Sequence, residues 1–334
     1  MSRSVSHSSP TGTKVRGGGP PKKPDNTTPM DSRGLLVLKL TSEGQECEAL
    51  VKGNYRFHVD DTLYEYADGN YRCVTKLKIR DRDDGKFGAS GVLIEPDLVL
   101  TSAHNVQYRG GEDYVSQAIS IRVYIGYHHQ DSSKGIAVEE RVGKRVIVPQ
   151  QWKLSGFAWH NDMALIELET KFTQVKPALY QAPSSAESTV LVVGYPGENT
   201  TQVRGSCTRC KKAGCMYEVA GQAKHNARNL LEYKLSTMPG NSGGPVFLKS
   251  KPKENTPRTV IATHSHSSSR KGTNFAAPVD VAFIEASKSF LSLPDSPSHQ
   301  DIIMLRQGDT STWDMSPSVD TRTSRTKAVR SPRC

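Results

Sequence analysis

The 334-residue chain has no uninterrupted apolar stretch near the roughly 18 residues that a membrane helix requires. Its longest apolar runs, Leu35 to Leu38 and Val190 to Val193, are strand-sized. A helical membrane protein is excluded, and no membrane partner is expected. The first 24 residues carry basic side chains but no apolar segment, so no secretory leader is legible, and cytoplasmic residence or non-classical export is the expectation. No repeat with a period of roughly 20–50 residues recurs, which sets solenoids and propellers aside. Apolar residues are scarce, at 35% of the sequence against about 45–50% in ordinary globular chains, and mean hydropathy is −0.54. Part of this length therefore has too little to bury.

The deficit sits at the ends. Residues 1–34 are rich in Ser, Gly, Pro and Thr, and 293–334 are similar apart from Ile302 to Leu305 and Trp313. Ordering such segments costs backbone entropy that little burial offsets, so both read as largely disordered tails, with those few apolar residues able to dock on the body. The charge excess is also partly terminal. The chain carries 44 Lys and Arg against 34 Asp and Glu, a net +10, and residues 1–34, 204–229 and 321–334, at +4, +5 and +5, more than account for it. No basic stretch is interleaved with aromatic residues, so nucleic acid is not an expected partner.

Between the tails, short apolar runs alternate with Gly, Pro, Asn and Asp. They fall at Tyr71 to Ile79, Ser90 to Ile94, Leu98 to Thr101, Ile119 to Tyr127, Met163 to Leu168, Thr189 to Tyr195, Leu230 to Leu235, Val246 to Leu248 and Thr259 to Thr263. Strands at this spacing predict an all-β sandwich or barrel. One helix is predicted at about 279–291, where Val279, Phe283, Ala286 and Phe290 recur at helical intervals after Pro278.

Three segments carry chemistry: Thr101-Ser102-Ala103-His104, Asn161-Asp162-Met163-Ala164, and Gly240-Asn241-Ser242-Gly243-Gly244-Pro245. A hydroxyl is a poor nucleophile at neutral pH, so an imidazole must take its proton, and a carboxylate must fix the imidazole's tautomer and stabilise the resulting cation. Ser242, His104 and Asp162 suit those roles. Glycines around the serine let the backbone turn sharply and aim the N–H groups of Gly240 and Ser242 at a developing oxyanion, each such donor being worth about 2.7–4 kcal/mol. The Gly-x-Ser-x-Gly pattern also matches the nucleophile elbow of α/β-hydrolases. That elbow needs a helix after the serine and its histidine downstream, whereas Pro245 to Leu248 reads as strand and His104 lies upstream.

Over about residues 55–292 these motifs resemble the chymotrypsin-fold, trypsin-like serine proteases, and within them the bacterial-type glutamyl endopeptidases. Gly194-Tyr195-Pro196-Gly197, Tyr233 to Thr237, Gly240 to Phe247 and Val260 to His264 follow that subgroup's order. The resemblance implies two antiparallel six-stranded β-barrels, the first about 55–170 with His104 and Asp162, the second about 175–280 with Ser242. It implies a monomeric endopeptidase acting on proteins or peptides without metal or organic cofactor. Ser236, six before the nucleophile, would lie at the base of the specificity pocket, where an Asp would select Lys or Arg. Thr237 and His264 match the subgroup's pocket residues, and a hydroxyl plus an imidazole suits a carboxylate side chain, so cleavage after Glu, with Asp weaker, is expected. Ser265 to Ser267 would offer backbone groups to an extended substrate. In that subgroup the mature amino group helps bind substrate. The matching position falls near Ala49 to Val51, so residues 35–54 can be a propeptide or a barrel lead-in, with processing expected near Glu48.

Cys207-x-x-Cys210 with Cys215 departs from the family pattern, as does Asn105 in the position after the histidine. Together with His225, these cysteines are four candidate zinc ligands, and the six cysteines equally allow disulfides or free thiols. The competing function is a catalytically silent protease-fold protein whose cleft or basic loop holds a protein or polyanion.

Overall fold

The computed structural model describes residues 56–81, 85–109, 115–128, 138–154, 156, 158–197, 214–249, 256–268, 272–292 and 302–305. The basic tails, Cys47, Glu48, the Ala49 to Val51 position, Cys207, Cys210 and Trp313 lie outside these residues.

Twelve strands, β1–β12 in chain order, close into two antiparallel six-stranded barrels. The first is built from Val74–Asp81 (β1), Lys86–Glu95 (β2), Leu98–Thr101 (β3), Val115–Ile125 (β4), Glu139–Pro149 (β5) and Ala164–Leu168 (β6). Its spatial order is β5-β6-β3-β2-β1-β4, and pairing of β4 with β5 closes the ring. The second comprises Glu187–Gly194 (β7), Tyr217–His225 (β8), Leu231–Tyr233 (β9), Pro245–Leu248 (β10), Thr259–Ser268 (β11) and Thr273–Pro278 (β12). Here the order is β8-β7-β10-β11-β12-β9, closed by β8 against β9. The double barrel implied by the family resemblance is thus the architecture observed.

Burial explains why some strands read as continuous apolar runs. In β7, Val190 and Val192 face the second barrel's interior with Val219, Leu231 and Ile261. Leu191 and Val193 point the other way and join a cluster shared with the first barrel. A strand with no face to water has no polar alternation to show. In β1 one face opens to water only in the second half of the strand, where Leu77 and Ile79 are buried while Lys78 and Arg80 are exposed.

The C-terminal helix spans Val281–Leu291, starting two residues later than the apolar spacing predicts. Pro278 closes β12 instead, and Asp280 caps the helix by accepting from the Phe283 N–H at 3.0 Å. Beyond it, Ile302–Leu305 docks as a parallel strand on Val146 to Pro149 of β5.

Candidate active site

His104 lies in a 3-10 turn, Ala103–Asn105, immediately after β3, and Asp162 follows a second such turn, Trp159–Asn161, just before β6. Antiparallel pairing of β3 with β6, with Thr101 opposite Ala164, brings the two turns side by side. The contact that results is two-pronged. The Nδ1 of His104 lies 2.7 Å from one Asp162 carboxylate oxygen, and the backbone N–H of His104 donates to the other at 2.8 Å. Ser265 Oγ also donates to Asp162 Oδ2.

Asp162 is fully buried while His104 is half-buried. Burial alone would raise the carboxyl's pKa, but His104 opposite it and the hydrogen bonds from His104 and Ser265 hold it below its ordinary value. The carboxylate therefore stays ionised, and with Nδ1 tied to it the ring presents Nε2 outward.

Ser242 belongs to the loop between β9 and β10, where Gly240 and Gly243 have φ of +99° and +79°. A Cβ on Gly240 would sit 2.7 Å from the Tyr195 carbonyl oxygen, and one on Gly243 2.1 Å from Thr101 Oγ1, so only glycine fits either place. The Ser242 carbonyl accepts from Asn105 Nδ2 at 3.0 Å and from Ser90 N–H at 2.9 Å. Asn105 is the residue after His104, so the serine's backbone is bonded directly to the turn that carries the histidine.

The four residues expected to bind substrate are also located. Ser236, Thr237 and His264 are buried, and the Tyr233 hydroxyl lies 2.5 Å from His264 Nδ1. Thr237 Oγ1 is enclosed with no hydrogen-bond partner among the described residues. The His264 N–H donates to the Gly244 carbonyl and its own carbonyl accepts from Gly243 N–H, which knits this residue to the loop that carries Ser242. Ser265 uses its side chain on Asp162. Its backbone falls at a bulge, where the ladder from β11 to β12 passes from His264 to His266 without pairing Ser265.

The zinc arrangement does not form among the described residues. Cys215 is disulfide-bonded and so offers no thiolate. It also precedes β8 whereas His225 ends it, and at about 3.3 Å per residue the strand between them runs for roughly 26 Å, far beyond the reach of one metal ion. No group of three or more His, Cys, Asp or Glu among the described residues could hold a metal ion. His225 instead lines a cavity of about 740 Å³ with His160, Asn161, Asn229 and Asp280, which includes none of His104, Asp162 and Ser242. Cys73 is a buried free thiol.

Several neighbours of the site carry no sequence signal that singles them out. Trp159 stacks on His266 at 4.2 Å between ring centroids and meets His104 edge-on at 5.9 Å, while His266 stacks on Phe275 from its other side at 4.9 Å. Arg56 is buried with its guanidinium 2.9 Å from Met238 Sδ, next in the chain to Thr237.

A family model described as Trypsin matches residues 62–284. Glutamyl endopeptidases of Staphylococcus aureus strains MRSA252 and MW2 are 24% identical to this chain over 220 residues, 63% of its length and 52% and 57% of theirs. The chain thus spans little more than half the length of those curated relatives. Among solved structures, a Glu endopeptidase in complex with MPD superposes with a TM-score of 0.55 at 20% identity, over 71% of this chain and 96% of that one. A structure described as HL collagenase gives a TM-score of 0.50 at 20% identity, over 72% and 98%. These two likenesses concern the fold.

Proposed function

The chain belongs to the trypsin family of serine proteases, and from that premise we propose that it is an endopeptidase whose catalytic residues are His104, Asp162 and Ser242 and which cuts after Glu, with Asp weaker. The observation that carries this reading is the double contact of His104 with the buried Asp162 carboxylate. In the first step Ser242 Oγ attacks the substrate carbonyl while its proton passes to His104 Nε2. Asp162 holds the ring and stabilises the imidazolium. The negative charge on the former carbonyl oxygen is met by the N–H groups of Gly240 and Ser242. His104 then returns the proton to the leaving amine, and water repeats the sequence on the acyl-enzyme.

The preference for Glu draws on the buried Thr237 hydroxyl and His264 beside the nucleophile loop. With Nδ1 of His264 facing Tyr233, a substrate carboxylate would be met by Nε2. Ser236 supplies no negative charge to hold Lys or Arg. The glutamyl endopeptidases matched above support the same assignment.

The chemistry is tested with a fluorophosphonate probe and a peptide substrate. The wild-type protein is expected to label at Ser242 and to hydrolyse the peptide. Ser242→Ala is expected to fold, to resist labelling and to lose at least on the order of 10³-fold in kcat. Undiminished turnover in that variant would contradict the assignment. No labelling and no turnover in the wild type would favour the silent binding protein instead.

A further inference from the structure

Oxyanion donors work only if their peptide planes are held, and glycine holds them poorly, because its backbone can rotate at low cost. In this loop four consecutive carbonyls are anchored. Pro239 O accepts from Gly197 N–H, Gly240 O from Ser90 Oγ, Asn241 O from Gly244 N–H, and Ser242 O from Ser90 N–H and Asn105 Nδ2. The peptides are trans, so each fixed carbonyl directs the N–H of the following residue to the opposite side. Tying down Pro239 O and Asn241 O therefore aims the N–H groups of Gly240 and Ser242.

One residue of the first barrel makes two of those anchors. Ser90 on β2 is fully buried, and every polar atom it has is engaged with the site's framework. Its N–H donates to Ser242 O at 2.9 Å, its hydroxyl donates to Gly240 O at 2.7 Å and accepts from Tyr195 N–H at 2.8 Å, and its own carbonyl accepts from Thr101 Oγ1 at 2.8 Å. The second barrel makes room for it with glycines. A Cβ on Gly194 would lie 2.8 Å from Ser90 Oγ, one on Gly243 2.5 Å from Ser90 O, and one on Gly244 3.3 Å from Ser90 Cβ. Three glycines from two segments thus close around this one residue, two against its side chain and one against its backbone carbonyl.

We propose that Ser90 is a positioning residue for catalysis, its hydroxyl locking the Gly240 peptide so that the loop presents N–H groups to the oxyanion. The inference rests on the oxyanion role given above to Gly240 and Ser242. Gly240 is pinned on its N-terminal side through Pro239 O, and on its C-terminal side through two bonds, one from Ser90 Oγ to its carbonyl and one from the Asn241 N–H to Met238 O at 2.9 Å. Removing the hydroxyl takes away one of the two holds on the second side and deprives the part-buried Gly240 carbonyl and the buried Tyr195 N–H of their partner, a loss the loop relieves by turning.

The test compares Ser90→Ala with the wild type in the full chain. It reads kcat and KM on a peptide substrate, and affinity for two inhibitors of the same sequence, one ending in an aldehyde and the other in the product carboxylate. The aldehyde bonds to Ser242 Oγ, its carbonyl oxygen takes the oxyanion position and the serine proton moves to His104, whereas the product acid reports ground-state binding. Ser90→Ala is expected to lower kcat and aldehyde affinity together by about 10- to 100-fold, with KM and product affinity within about threefold of wild type. Ser90→Cys keeps the bulk and a weak donor, is expected to fall between the two, and carries the test if the alanine variant does not fold. Ser287→Ala deletes an equally buried hydroxyl in the C-terminal helix, bonded to Phe283 O, and is expected to leave kcat unchanged. An unchanged kcat in Ser90→Ala, or an equal fall in aldehyde and product affinity, would overturn the proposal. Wild-type turnover in Ser242→Ala would remove the catalytic reading beneath it and is read separately.

Discussion

His266 carries the clearest pH signature of any single residue. Desolvation between Trp159 and Phe275, opposed by the charge of Asp162, pulls its pKa down to about 4 from an ordinary 6.5. In the unfolded chain the same ring takes up its proton as pH falls through 6.5. Between those values the unfolded state binds more protons than the folded one, so stability rises with pH across the window and is lost as pH drops toward 4. The gap amounts to about 3 kcal/mol. His266→Phe keeps the stacking and removes the titration. Urea unfolding at pH 7 and pH 4.5 should show a smaller acid-induced loss for the variant than for the wild type, and an identical loss would contradict the account. The residues proposed for the chemistry are legible because the roles proposed for them force their types: His104, Asp162 and Ser242 are named by motif. Ser90, Asn105 and Trp159 are not, since a serine in a strand, an asparagine after a histidine and a lone tryptophan fit many local structures. Their importance comes from partners as far as 150 residues away in sequence, as with the bond from Ser90 to Gly240.

At the level of elements, nine of the twelve barrel strands coincide with apolar runs, and the three that do not have specific reasons. In β5, Glu139 to Lys144 are only partly covered and five of the six are charged or glycine. Gly221 and Lys224 interrupt β8, and β12 reads Thr-Asn-Phe-Ala-Ala-Pro, a composition poor in β-formers. Each is held by pairing on both sides, which no local window reports. The cysteine segment shows the reverse problem: the Cys-x-x-Cys spacing suggests a metal, but β8 carries His225 away from Cys215. The helix boundary read from Pro278 and the apolar spacing falls two residues early because the cap is Asp280. Asp280 accepts from Phe283 N–H, so Asp280→Ala should cost about 1 kcal/mol of stability in thermal or urea unfolding. A change of a few tenths or less would show that packing of Phe283, Ile284 and Phe290 alone sets the helix start.

For the whole molecule, the division into barrels is also a division of the proposed chemical labour. The first barrel holds His104 and Asp162, the proposed base and its carboxylate, on two turns joined by β3 and β6, and the second holds Ser242, the proposed nucleophile, on a glycine-rich loop. The barrels are joined through the shared apolar cluster that includes Val193, Tyr195 and Phe247, and through the polar bonds of Ser90, Ser102 and Asn105 to the second barrel. Where His104 and Asp162 sit relative to Ser242 is therefore set by how one packed barrel meets another, which local sequence cannot express, although the family resemblance implies it. The central claim, a His104, Asp162 and Ser242 endopeptidase that cuts after Glu, is tested most directly by digesting an unbiased peptide mixture with the protein and with its Ser242→Ala variant. Every new terminus is read by mass spectrometry. The account predicts termini mainly after Glu, fewer after Asp, and none with the variant; cuts that persist in Ser242→Ala, or that fall mainly after Lys or Arg, would contradict it.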